Sequence, residues 1–160
     1  MIDKENYLLD DVSWVFSPNH GDIIFPKIIV IHHSGTNSFH DTICNFCDPN
    51  SNTSSHIVIA KTGKIWQLVP FNLEAFHLEP ECRYKEYKNI NKCSIGITNV
   101  GIGDEYPVAQ IRSNIYVINC IKKIYDIDIV GHDSISFPPG TANDPGPDFP
   151  WEWVIRDIIS

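Results

Sequence analysis

At 160 residues, 42% of them hydrophobic and 20% charged, the chain is long enough to bury a core of its own as one domain. Twenty acidic against twelve basic residues leave a net charge of −8 with lysine and arginine scattered, which argues against nucleic acid as a partner. No apolar run approaches the roughly 20 residues that span a bilayer, and the start MIDKENYLLDD lacks the basic and apolar regions of a secretory signal. A monomeric cytoplasmic protein without membrane contact is therefore expected, unless a dedicated secretion route or phage lysis carries it outward. Five cysteines, an odd number, are read as reduced thiols.

In chain order, residues 1–26 are polar stretches around Trp14, Val15 and Phe16 and read as an N-terminal arm packed on a domain of residues 27–160. KIIVIH (27–32) is a β-branched run too continuous to be half exposed, hence a central buried strand ending at His32. A polar loop, 37–55, carries a short helix near 39–47. HIVIAKTGKIWQLVP (56–70) predicts a β-hairpin turning at Thr62-Gly63. A charged and aromatic loop, 78–92, precedes a second buried strand, CSIGIT (93–98).

From 108 to 125, Ile111, Ile115, Ile118, Ile121, Ile124 and Tyr125 recur at helical spacing, with Arg112, Asn114, Lys122 and Lys123 assigned to the opposite, polar face. DIDIVGH (126–132) gives another strand, and PWEWVIRDIIS a terminal helix with Pro150 at its start. The fold class is α/β, a mixed central sheet flanked by helices.

Two histidines, His32 and His132, stand where inner strands run out, rigid but open to solvent. One carboxylate added to them makes a donor set that suits zinc with a fourth position open to water. Spacing alone does not select the acid, because Asp144 and Asp148 both flank the Pro-Gly-Pro turn of GTANDPGPDF (140–149).

VIHHSG (30–35), SSHIVIAKTGKIWQLVPFNLEAFH (54–77), CSIGI (93–97) and GHDSISFPPGTANDPGPDFPW (131–151) follow one another in the order and character of type 2 N-acetylmuramoyl-L-alanine amidases. The chain resembles this group, which includes cytosolic anhydro-muropeptide amidases, amidase-type phage lysozymes and peptidoglycan recognition proteins. The resemblance implies a single mixed-sheet domain and Zn²⁺ held by His32, His132 and Asp144. It also implies hydrolysis of the amide between N-acetylmuramic acid and L-alanine in peptidoglycan or muropeptide fragments. Asp148 is read as a solvated loop acid. His33, His56 and His77 are expected to contact substrate, while Thr98, Glu105, Asp133, Thr141 and Asn143 are candidates for the polar catalytic helper.

The chain departs from the pattern at three positions, with Ile57, Thr98 and Ala142 where many members carry tyrosine, glutamate and lysine. A muropeptide-binding module of the same fold, without strong catalysis, is the alternative expectation.

Overall fold

The computed structural model describes residues 1–159. In chain order it contains β1 (Ser13–Trp14), β2 (His20–Ile23), β3 (Ile28–His33), α1 (Phe39–Cys47), β4 (Ile57–Ile59), β5 (Ile65–Gln67) and β6 (Leu73–Ala75). The second half supplies β7 (Arg83–Tyr84), β8 (Tyr87–Lys88), a 3-10 turn (Ile90–Cys93), β9 (Ser94–Asn99) and α2 (Val108–Lys122), then β10 (Asp128–Gly131), α3 (His132–Ile135) and α4 (Trp151–Asp157). The main sheet has the order β1-β5-β4-β9-β3-β10. Every neighbouring pair is parallel except the hairpin β4-β5. Two small antiparallel ladders, β2-β6 and β7-β8, lie outside it.

The uninterrupted apolar run IIVI of β3 and the complete burial of β9, SIGITN, follow from coverage on both faces, with the two-residue period of a strand sorting their side chains into different layers. Ile29, Ile31, Ile95 and Ile97 join the main core with Ile111, Val117, Ile118 and Ile121 of α2 and Val154 of α4. Ile28 and Val30 point the other way, against Leu78, Cys82, Ile90 and Ile135. Each such isoleucine, fully removed from water, stabilises the fold by about 1.5–3 kcal/mol. His32, Ser94, Gly96 and Thr98 share the parity of that second face. Functional side chains on β3 and β9 thus open away from α2.

The hairpin forms at the expected turn. Gly63 adopts φ +84°, a left-handed conformation that suits glycine, and the Ala60 N–H donates to the Lys64 carbonyl at 2.9 Å. Its strands are short, three residues each. Helix α1 starts on Ser38, whose side chain accepts from the Asp41 N–H at 3.1 Å. Its residues Phe39, Ile43, Phe46 and Cys47 pack around Val58, Leu68 and Trp66.

Helix α2 ends at Lys122, earlier than the apolar stripe suggests, because the Ile124 and Tyr125 N–H groups both close onto the Ile121 carbonyl. Asn114 is not on its polar face but wholly buried. Lying three residues after Ile111 and four before Ile118, it faces the sheet, where its amide donates to Asn99 Oδ1 at 2.6 Å and to the Gln110 carbonyl at 2.9 Å. A satisfied asparagine occupies an inward position that a polar residue was expected to avoid.

Of residues 1–26, Ile2 and Leu9 sit in the main core, β1 extends the sheet beside β5, and β2 pairs with β6. All five cysteines are free thiols. No helix among the described residues is long and apolar enough to cross a membrane.

Candidate metal centre and cleft

His32 and His132 are far apart in sequence, yet β3 and β10 run parallel with Gly131 opposite Ile31. The residue after each of these is one of the two histidines, His32 within β3 and His132 opening α3, side by side at the carboxyl edge with ring centroids 4.9 Å apart. Asp144 reaches both. Its Oδ2 lies 2.8 Å from His32 Nδ1 and its Oδ1 2.9 Å from His132 Nδ1. Ligand atoms of the three residues all fall within 4.8 Å of one another, and both imidazoles are buried.

The loop bearing Asp144 is tied down on several sides. The Asp133 N–H donates to the Asp144 carbonyl at 2.7 Å, the Gly146 N–H donates to Asp133 Oδ2 at 3.3 Å, and the Tyr106 hydroxyl donates to the Pro145 carbonyl at 2.6 Å. Gly146 turns the chain with φ +83°. These bonds hold the carboxylate before any ligand arrives. Asp148, beyond the turn, is exposed.

Burial would raise the Asp144 carboxyl, but hydrogen bonds from His132 and His32 hold it far below the usual carboxylate range. Burial also opposes charge on His132, yet its hydrogen bonds to Asp144 and Cys82, with the charges of Asp144 and Glu79, push it up to about 10. For His32 burial prevails, and its imidazole titrates below the ordinary value.

Outward from this trio each ring is held by its far nitrogen. His32 Nε2 lies 2.9 Å from His77 Nδ1, and His77 Nε2 lies 3.0 Å from Ser94 Oγ. His132 Nε2 lies 2.8 Å from Glu79 Oε2. A cavity of about 380 Å³ opens over these residues, lined also by His33, Phe46, Thr98 and the 52–54 segment.

His33 and His77 thus line the cavity, whereas His56 does not. His56 is completely buried; its Nδ1 accepts from the Gly96 N–H at 3.0 Å and its Nε2 donates to the Leu73 carbonyl at 2.8 Å. With both nitrogens on backbone it has no atom to offer a substrate, which corrects the sequence expectation.

Among the helper candidates only Thr98 lines the cavity. It sits directly across from His32 in the β3-β9 ladder, and among the described residues its hydroxyl has no hydrogen-bond partner in the protein. Glu105 is exposed near Lys61, Thr141 donates to the Pro138 carbonyl, Asn143 is exposed, and Asp133 is occupied with the Asp144 loop. Ile57 belongs to the main core, pointing away from the cleft.

Sequence reasoning missed Glu79. Its only signal was position, two residues beyond His77, in a loop with no periodicity.

Gly96 makes room for this arrangement, since a Cβ there would lie 2.7 Å from His77 Cγ. Gly96→Ala is expected to destabilise the protein by about 1–3 kcal/mol through overpacking and to displace His77 from His32. Urea unfolding measures the first effect; unchanged stability would mean that His77 yields freely.

The model of the N-acetylmuramoyl-L-alanine amidase family matches residues 23–147. The amidase AmiD of Escherichia coli strain K12 is 28% identical over 181 residues, covering 99% of this chain and 61% of AmiD. The 1,6-anhydro-N-acetylmuramyl-L-alanine amidase AmpD of Citrobacter freundii is 33% identical over 102 residues, covering 61% of this chain and 53% of AmpD. The chain therefore spans only part of the length of the curated relatives it matches. Among solved structures, a selenomethionine AmpD derivative superimposes with a TM-score of 0.85 at 26% identity, covering 99% of both chains. E. coli AmiD in complex with anhydro-N-acetylmuramic acid-L-Ala-D-gamma-Glu-L-Lys gives 0.75 at 26% identity, over 99% of this chain and 66% of that one. With the family model matched across most of its length and the mixed sheet shared with these structures, this chain belongs to the N-acetylmuramoyl-L-alanine amidase family.

Proposed function

We propose that the chain is a zinc-dependent amidase that cleaves the bond between N-acetylmuramic acid and L-alanine in muropeptides. The observation that carries this reading is the convergence of two buried imidazole Nδ1 atoms on one half-buried carboxylate at the floor of an open cavity. Two nitrogens and one oxygen form a donor set suited to catalytic zinc, leaving a coordination position unfilled by protein. His32, His132 and Asp144 would hold the ion. Bound there, zinc supplies Lewis acidity that polarises a scissile carbonyl and lowers the pKa of water.

The protein's own contribution is orientation and polarity. The carboxylate would offset part of the ion's charge, the β3 and β10 backbones fix the rings, and Thr98, across from His32, adds a hydroxyl to the cavity wall that could serve a developing carbonyl charge. That AmiD was solved with an anhydro-muropeptide supports soluble fragments as the substrate class. The acidic surface favours them too, since it would be repelled by anionic wall polymers.

One set of observations favours a second reading, a muropeptide-binding module. Thr98 and Ala142 stand where many relatives carry glutamate and lysine, and Ala142 does not line the cavity. Incubating the protein with an anhydro-muropeptide and resolving the products by mass spectrometry separates the two. Free peptide and free anhydro-sugar are expected. Intact muropeptide recovered alongside saturable binding would replace the amidase by the module.

A further inference from the structure

Glu79 belongs to no element of the sheet, and its side chain is 65% exposed, yet its Oε2 lies 2.8 Å from His132 Nε2. A surface glutamate in a loop normally gains little from one contact and pays rotamer entropy for it. Here the surrounding loop is built to keep the contact. Asn91 clamps the backbone just before Glu79: its Oδ1 accepts from the His77 and Leu78 N–H groups at 3.2 and 3.0 Å, and its Nδ2 donates to the Leu78 carbonyl at 2.9 Å. The Cys82 N–H closes a turn onto the Glu79 carbonyl at 3.2 Å. The buried Cys82 thiol donates to the same Oε2 at 3.6 Å. Leu78 and Cys82 anchor the segment beneath β3, and Lys85 ties the β7-β8 hairpin to Asp128 of β10 at 2.6 Å.

The direction of approach decides what Glu79 can do. Asp144 faces Nδ1 of His132, while Glu79 meets Nε2, the opposite side of the ring. Its contact is therefore with the ring nitrogen that the Asp144 carboxylate does not use. It can fix the tautomer and plane of the imidazole, because a carboxylate accepting Nε2–H leaves the Nδ1 lone pair free for a metal.

We propose that Glu79 is a positioning residue that orients His132 for zinc. This rests on the zinc reading above and deepens it. His32 is held at its own Nε2 by His77, so the two rings are oriented by different means: His32 by a neutral buried imidazole, His132 by a carboxylate at the cavity wall.

Zinc affinity of the full chain, measured by competition with a chromophoric chelator, tests the proposal in Glu79→Ala, Glu79→Gln and Asp144→Ala. Losing an outer partner of a ligating histidine weakens metal binding about 10–100-fold, so that loss is expected for Glu79→Ala. Glu79→Gln, which keeps a carbonyl acceptor for Nε2–H, is expected to recover most of it. Proton NMR of the zinc-loaded protein should show a slowly exchanging His132 ring N–H that disappears in Glu79→Ala and persists in Glu79→Gln. A purely structural glutamate would lower thermal stability without moving zinc affinity or that resonance, and such a result overturns the proposal. If Glu79→Ala binds zinc like the wild type while Asp144→Ala does not, Glu79 has no positioning role and the zinc reading stands. A wild-type chain with no zinc affinity removes both.

Discussion

Replacing Asp144 by alanine is expected to reduce bound zinc from near one ion per chain to near none and to abolish muropeptide cleavage. Both imidazole Nδ1 atoms converge on this carboxylate, at 2.8 and 2.9 Å, so no neighbouring acid can substitute for it without rebuilding the 136–150 loop. Outer partners of metal ligands already matter by about 10–100-fold, and Asp144, proposed as a direct ligand, is expected to exceed that range. Activity should fall by about 10³-fold or more, since Lewis acidity and the stabilisation of carbonyl charge are lost together. Asp148→Ala is the control: that residue is exposed past the turn and should change neither quantity. Elemental analysis of the purified variants gives the zinc content, and mass spectrometry of a muropeptide digest gives the activity. Equal zinc in wild type and Asp144→Ala would refute the ligand assignment.

Much of the scaffold could be read from residue order, because burial leaves a direct mark on it. IIVI carries no polar alternation, as a strand covered on both faces allows, and the small and apolar residues of SIGI are equally compatible with burial. The hairpin came from an equally local signal, the Thr-Gly turn, and the short helix expected near 39–47 within a polar segment is α1, which the structure shows capped by Ser38. What could not be read depends on contacts between distant segments. His32 and His132 become neighbours only through the parallel register of β3 with β10, a pairing of non-consecutive strands that no spacing encodes. Their association with Asp144 was suggested by resemblance to a family rather than by periodicity.

Asn114 and His56 were misjudged for one physical reason. Polarity predicts exposure only until a buried partner is available, and the partners here, Asn99 for one and the Gly96 and Leu73 backbone for the other, come from elsewhere in the chain. Glu79 is the converse case. An exposed loop acid looks solvated in sequence, and only the docking of the 78–92 segment against β3 and β10 brings it to His132.

His56 gives the second large effect, on stability and its dependence on pH. The ring joins β9 to β6 through two backbone hydrogen bonds, and it lies near Phe71 with ring centroids 6.2 Å apart. His56→Ala would strand the Gly96 N–H and the Leu73 carbonyl, at about 1–3 kcal/mol each, and leave a cavity besides. A loss of about 3 kcal/mol or more is expected in urea unfolding.

Burial lowers the His56 pKa to about 4, outweighing the opposite pull of the Leu73 carbonyl, against an ordinary value of 6.5. The folded state therefore binds this proton less readily than the unfolded chain. Stability from the neutral ring is complete above about pH 6.5, declines as pH falls, and is exhausted near pH 4, a span worth about 3 kcal/mol. Glutamine can imitate both hydrogen bonds with its amide but does not titrate. The stability gap between wild type and His56→Gln should thus narrow by about 2–3 kcal/mol between pH 7 and pH 4.5, while contributions from histidines common to both proteins cancel. Parallel stability curves would show that His56 accepts a proton in the folded state, which its two backbone bonds forbid without breaking the one from Gly96.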